Sequence, residues 1–585
     1  MRALTVVDGP TDFDRHPPRG VRLSALRNWI VTLCRVSSRT RATVPASPVR
    51  LFRNDWSRLR PPELDGWQPS RSVSLVVPAH DCQPSLDLTL AALRAQTYPS
   101  GLLEVVVVDD GSDPPITLPR IRPDNCRLVR VADHFAGWGR SAALHVGAEQ
   151  SEGEILHWLD ADMLVFPEHV AAQARWLHVS DEVVTLGYKR FVDADWPTAE
   201  QVAESCAAGT ADRLFRLDET EPHEYVERLI DDTDQLRGGD HLNFRAHVGA
   251  TAALSRSLYQ ETGGLNPELR LGEDTEFGYR LAQAGAVFVP EPLARSWHLG
   301  PSHMMTRGEA LRRYNRPYLA DLMPQPRYLR SAAQRSWAVP LVVAVVRADG
   351  PYEMVRTCVD RLLAGDQTDL RVVLVADWAE LTEERRSVLV DPVLDRRLLA
   401  ATYRSEPRVE LARQAPVTAY PAPYLLEIGP HLGVDADTVR RLVAVADQWR
   451  VGLVRLLPVG ATAPEDGLSL WRTAALSRAL RVRRPAEPLD EVVAEVAGKR
   501  WVSGDDFGVV DLRLLPENRW VSPRPRLVVR PDKRARRAAL AGVETIPVGG
   551  IRSLASATRF VAGRYAGLAA DRVRQRVRRP AGPVD

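Results

Sequence analysis

Short, mostly apolar runs, rather than an even alternation, set the pattern of this chain. Residues 73–77 and 105–108 are β-branched, brief and bounded by turn residues, which predicts strands buried on both faces of a parallel sheet. Between them, residues 86–96 repeat apolar positions at helical spacing, completing a strand–helix–strand unit. The run 155–159 predicts a further buried strand ending at Asp160. Another at 337–346 falls short of the ~20 apolar residues a bilayer span requires, and also reads as a buried strand. The fold class is α/β.

The chain echoes itself. Residues 73–108 and 341–375 both read strand, helix, strand, with EVVVVDDG against RVVLVADWA. ATAALSRSL at 250–258 is matched by RTAALSRAL at 472–480, and Gly272–Glu273–Asp274 by Gly504–Asp505–Asp506. Three echoes in one order predict a tandem copy. The expected organisation is a first α/β domain at 71–330 and a related one at 338–530. These are flanked by a basic, poorly ordered segment at 1–70 and a basic tail at 531–585.

Composition adds few constraints. Of 585 residues, 45% are hydrophobic and 26% charged, as in ordinary globular proteins. The net charge is +2, but the two ends are arginine-rich and no acidic residue lies between Asp14 and Asp55. Leu26, Trp29, Ile30 and Leu33 at one end, and Leu554, Val561, Tyr565 and Leu568 at the other, recur at helical spacing beside arginines. Two readings stay open: packed helices with a solvated face, or peripheral contact with an anionic membrane. With no aromatic-interleaved basic stripe, nucleic acid is not an expected partner. Five scattered cysteines without a CxxC pair argue for a reducing compartment. The expected location is cytoplasmic, with the inner membrane face as an option.

Acidic residues cluster where predicted strands end. Pro78–Ala79–His80–Asp81 follows the first strand, and Asp109–Asp110–Gly111–Ser112 closes the second. Ligands of parallel sheets settle beyond these carboxyl ends, although a DDGS string alone is equally a tight turn. Asp160–Ala161–Asp162 presents two carboxylates suited to a divalent cation against a diphosphate. The same spacing recurs at Asp193–Ala194–Asp195 and Asp435–Ala436–Asp437, but only the first follows a buried run. Glu273 and Asp274 open a helical segment, where acids favour the helix dipole whether or not they do chemistry. His298, after Trp297, is either a metal ligand or a structural imidazole.

Taken in order, PAHD, VVVVDDGS, WGRSAALHVGAEQSEGEI, LDAD, GGLNPELRLGEDTEFGYRL and SWH resemble the family 2 glycosyltransferases of the GT-A fold, over roughly 71–305. The resemblance implies a Rossmann-like nucleotide-diphospho-sugar transferase domain, a nucleotide-sugar donor (a UDP-sugar being commonest), Mn2+ or Mg2+, and inversion by direct displacement. It implies nucleotide-sugar binding by Pro78, Ala79, Asp81, Asp109, Asp110, Arg140 and Asp160, and metal ligation by Asp160, Asp162 and His298. Asp274 would be the general base, with Glu273 beside it. His80 and Asp81 depart from the family's usual Tyr and Asn. The acceptor class implied is a hydroxyl of a glycan, glycolipid or cell-envelope molecule. The second domain keeps Asp377 where Asp110 stands, but its expected metal position reads Glu427–Ile428–Gly429, so a degenerate GT-A-like domain without transfer is expected. Two alternatives are a sugar nucleotidyltransferase, disfavoured by the turn PAHDCQ in place of a Gly-rich loop, and a non-catalytic glycan-binding or assembly component.

Overall fold

A computed structural model describes residues 49–330, 335–458, 460–461, 463, 466–516 and 520. The two amphipathic helices expected near the ends, and most of the basic tails, lie outside the described residues.

The first sheet is nine-stranded. Its strands are β1 (Val73–Ala79), β2 (Leu103–Asp109), β3 (Cys126–Arg130), β4 (Ile155–Leu159), β5 (Met163–Val165), β6 (Val183–Val192), β7 (Thr220–Pro222), β8 (Thr251–Ser255) and β9 (Val287–Leu299). They lie in the order β3-β2-β1-β4-β8-β6-β9-β5, with β7 beside β6. β1 runs parallel to β2 and β4, so the turns after Ala79, Asp109 and Leu159 emerge at one edge. The apolar runs form these strands because both faces are covered. In β1 no exposed position alternates with a buried one: Leu75, Val76 and Val77 are all fully buried, Val76 in one core and its two neighbours in the other.

A second sheet follows, with β10 (Val342–Arg347), β11 (Leu370–Val375), β12 (Val409–Ala412), β13 (Tyr424–Ile428), β15 (Leu453–Leu457), β16 (Leu468–Arg472) and β17 (Lys499–Ser503). A separate two-stranded pair joins β14 (Leu432–Gly433) to β18 (Val510–Asp511). The second sheet's order, β12-β11-β10-β13-β16-β15-β17, repeats that of the first strand for strand up to its edge. Directions repeat too: β13 is antiparallel to β16 as β4 is to β8, and β15 is parallel to β17 as β6 is to β9.

Only the first sequence echo lies in register. Val73 pairs with Leu103 and Val342 with Leu370, which places Asp377 where Asp110 stands. The TAALS match does not: it forms strand β8 in the first half and opens the helix Thr473–Val482 in the second. Likewise, Glu273 and Asp274 open a helix, whereas Gly504–Asp505–Asp506 follow β17. The strand registers also move the position equivalent to the Asp160 metal site. Ile155 and Tyr424 both pair opposite the first residue of their central strand, so Asp160 and Asp162 correspond to Gly429 and His431, not to Glu427 and Gly429.

Residues 49–70, grouped by sequence with the poorly ordered end, pack instead as a strap along both halves. Leu51 and Leu59 are buried. The Arg53 amide donates to Val496 O at 2.6 Å, and Asn54 Nδ2 donates to Phe288 O at 2.8 Å while its Oδ1 accepts from Phe288 N. The halves also meet directly, with Tyr279 Oη donating to Pro421 O at 2.6 Å and Tyr420 Oη to Thr262 O at 3.0 Å. Among the described residues no helix is long and apolar enough to cross a membrane.

Candidate functional site

The edge where β1, β2 and β4 end gathers the acidic turns. Asp81 sits at φ 49°, a left-handed backbone that turns the chain back over β2. Its amide donates to Ser112 Oγ at 3.0 Å and its Oδ1 accepts from Asp113 N at 3.0 Å. Asp109 is buried and caps the same turn by accepting from Ser112 N at 2.9 Å. Asp110 reaches the other way: its Oδ2 accepts from Gly139 N at 2.7 Å, and its amide donates to Ala79 O. Its Oδ1 is buried without a partner, and burial raises its carboxyl above the usual range. Pro78 and Ala79 supply this edge with backbone; the Asp81 side chain stands in solvent.

Arg140, the first residue of the helix Arg140–Glu149, ties the centre together. Its Nε and Nη2 donate to Asp160 Oδ1 at 2.8 and 2.6 Å, and its Nη1 donates to Glu273 Oε1 at 2.6 Å. Burial would raise the Asp160 carboxyl, but Arg140 and then Lys189 outweigh it and hold the group below its ordinary range. Glu273 goes the other way: burial raises it despite Arg140, and Asp274 adds to the rise.

Glu273 and Asp274 open the helix Glu273–Gln283, entered through Gly272 at φ 77°. That left-handed backbone is what calls for glycine; a side chain there would also push on the Asn315 amide at 2.9 Å. The helix is anchored by its buried Phe277, Tyr279 and Leu281 and by the enclosed Glu276–Arg280 pair. Asp274 is half-buried, and its carbonyl accepts from His247 Nδ1 at 2.8 Å.

Asp162 and His298 face each other from paired strand ends, Oδ2 to Nε2 at 3.7 Å, where β5 and β9 run antiparallel. His298 Nδ1 donates to Gly300 O at 3.1 Å, which leaves Nε2 as the lone-pair nitrogen toward Asp162. Asp162 Oδ1 is buried and unpartnered. Burial raises the Asp162 carboxyl and lowers the His298 imidazole, each opposed by the other group.

The expected trio of Asp160, Asp162 and His298 is not gathered as a metal site. Among the described residues no three His, Cys, Asp or Glu side chains converge for one. Asp160 turns an oxygen to the Arg140 fork instead, leaving an acid–imidazole pair. That pair still suits a divalent cation, since Asp162 turns Oδ2 to the lone-pair nitrogen of His298 and has a second oxygen, Oδ1, without a partner. The other two DxD strings stand elsewhere: Asp193 and Asp195 are exposed in a loop, and Asp437 precedes the helix Thr438–Trp449.

Three neighbours were not singled out in the sequence. Lys189 on β6 is buried within the field of Asp160 and Asp162; burial lowers its ammonium and those carboxylates oppose the fall. Phe191, two residues on, packs edge-on against His298 with centroids 4.9 Å apart. His247 supports Asp274 from behind. Lys189 alone carried a signal, as one of three lysines in an arginine-rich chain.

Residues 74–261 match the family described as Glycosyl transferase family 2. A chondroitin synthase of Escherichia coli is 26% identical over 401 residues, covering 64% of this chain and 55% of that protein. A hyaluronan synthase of Pasteurella multocida is 26% identical over 337 residues, covering 52% of this chain and 33% of its own length. The chain thus spans between a third and just over half of these relatives. Among solved structures, a mannosyltransferase from Pyrobaculum calidifontis in complex with GDP-Man and Mn2+ is 19% identical, covering 47% of this chain and 68% of that one at a TM-score of 0.27. The family match and the mixed strand order of the first sheet identify a GT-A-like α/β fold.

Proposed function

We propose that this chain, whose residues 74–261 form a glycosyl transferase family 2 domain, moves a sugar from a nucleoside-diphosphate donor to a hydroxyl of a glycan, glycolipid or cell-envelope acceptor, inverting the anomeric carbon. The observation that carries this reading is the Arg140 fork, which holds the β4 exit and the Glu273–Asp274 helix start together.

On this reading Asp81, Asp109 and Asp110 receive the nucleoside, their turns being braced so that carboxylate oxygens face its N–H and hydroxyl donors. Arg140 and Lys189 place positive charge beside the diphosphate, where negative charge grows as the bond to the sugar breaks. Asp162 and His298 would hold a Mn2+ or Mg2+ ion, whose chemistry is to neutralise the departing diphosphate. Asp274 takes the proton from the acceptor hydroxyl as its oxygen attacks the anomeric carbon from the face opposite the leaving group. Glu273, fixed by Arg140, orients that end of the helix. The second sheet does no transfer on this reading, because Gly429 and His431 stand at the positions of Asp160 and Asp162, leaving neither the Arg140 partner nor the acid that faces His298.

Donor turnover by the full chain with Mn2+, screened across nucleoside-diphosphate sugars and read by diphosphate release, tests the proposal. Turnover that fails in Asp162→Ala and Asp274→Asn is the expected result. Full activity in both variants, or release of pyrophosphate, would remove the assignment.

A further inference from the structure

A cavity of about 100 Å³ lies where the strap, the end of the helix Glu273–Gln283 and the second sheet meet. Arg53, Arg450, Arg472 and Arg478 line it, against one lining carboxylate, that of Asp240. Arg478 is fully engaged, donating to Gly285 O and Ala286 O at 2.9 Å each and to Arg53 O. The other groups are not. Arg472 is only 8% exposed and donates to Asp447 Oδ1 at 2.8 Å and Ala446 O at 3.1 Å, but its Nη1 is buried with no partner. Arg53 Nε is likewise buried and unpartnered, and so is Oε1 of Gln283, a side chain 2% exposed. An amide turned over at Gln283 would present its NH2 to the same space.

Buried donors without acceptors are costly, and two of them around one cavity, Arg53 Nε and Arg472 Nη1, point to a missing acceptor. Room exists for one: a single water needs ~10–15 Å³, so this space admits several waters or one tetrahedral oxyanion. Burial and then Arg450 and Arg472 make the Arg53 guanidinium less basic than usual, whereas at Arg472 burial is outweighed by Tyr424, Asp447 and Asp240, so the unanswered positive charge lies on the Arg53 side of the cavity. Arg450 is exposed at the mouth, giving an ion a way in.

We infer that this cavity binds a free phosphate-sized oxyanion between Arg53 and Arg472, with Gln283 and Arg450 as further donors. The ion would join strap, helix end and second sheet through a contact that no side-chain pair makes. The site is separate from the cleft at the other end of that helix and does not depend on what is transferred there.

Titration calorimetry of the full chain with inorganic phosphate, in chloride buffer of matched ionic strength, tests this. We expect one phosphate per chain, with affinity lowered about tenfold in both Arg53→Gln and Arg450→Gln, the loss for one charge-assisted hydrogen bond. Melting in chloride checks that each variant folds. Arg450→Gln, at an exposed position, decides alone if Arg53→Gln does not fold. No phosphate binding, or unaltered binding in a folded variant, overturns the inference.

Discussion

Arg140 and Glu273 stand 133 positions apart in sequence, yet Nη1 of the first donates to Oε1 of the second at 2.6 Å. The same guanidinium grips Asp160, so one residue sets the spacing between the end of β4 and the start of the helix Glu273–Gln283. Lysine keeps the charge but offers no planar fork. Arg140→Lys is therefore expected to lose donor turnover at least about tenfold while still folding. Arg140→Ala, leaving Glu273 buried beside Asp274 without its cation, should lower stability by about 3 kcal/mol. Thermal melts and turnover on the same preparations check both.

The two acids that open the helix Glu273–Gln283 should separate in their effects. Asp274→Asn removes the proposed base and should cost roughly 10²–10⁴-fold in turnover, with little change in melting. Glu273→Gln disturbs a buried ion pair, so its melting temperature should fall together with its rate. Equal melting losses in both would argue that Asp274 is structural.

How far the sequence revealed this site can be judged from the same residues. Asp160 and Asp162 stand out because a run that is apolar but for His157 leads into them, and the structure puts that run at the centre of the sheet. The Arg140 bridge was invisible, because sequence spacing carries no information about which distant acid an arginine will meet. The tandem copy was legible for a partly misleading reason. TAALS is compatible with strand and helix alike, and burial on opposite sides of β8 selects strand in one half while an amphipathic face selects helix in the other. Only the strand–helix–strand echo, whose β-branched runs admit one structure, gave the true register. The ordered strap was missed because its anchors, Leu51, Asn54 and Leu59, are isolated among prolines and arginines and follow no period.

Buried imidazoles make stability depend on acid. His157 and His169 stack with centroids 5.3 Å apart, and Gln173 Nε2 lies 3.2 and 3.0 Å from their Nε2 atoms, so both rings accept and are neutral. Burial lowers His169 to about 4 and His157 well below its ordinary 6.5. The unfolded chain takes up these protons near pH 6.5 and the folded one does not, so stability falls as the pH drops from 6.5 toward 4. His169 alone accounts for on the order of 3 kcal/mol by the lower limit. Proton uptake on unfolding at pH 5 should decrease by about one in His169→Gln.

The second sheet is expected to be silent in the reaction. His431→Ala and Asp377→Ala, at the places matching Asp162 and Asp110, should leave donor turnover and its metal dependence unchanged. A loss in either, with melting preserved, would give the second half a part in the chemistry.

Arg478 closes the C-terminal end of the helix that begins with Glu273 and Asp274, giving hydrogen bonds to Gly285 O and Ala286 O just past its last turn. The first half therefore borrows the finish of its working helix from a residue some two hundred positions downstream. Excising residues 49–330 would strip those carbonyls of their donors and leave the Tyr279 hydroxyl without Pro421 O. The second sheet thus serves as a splint against which that helix is set.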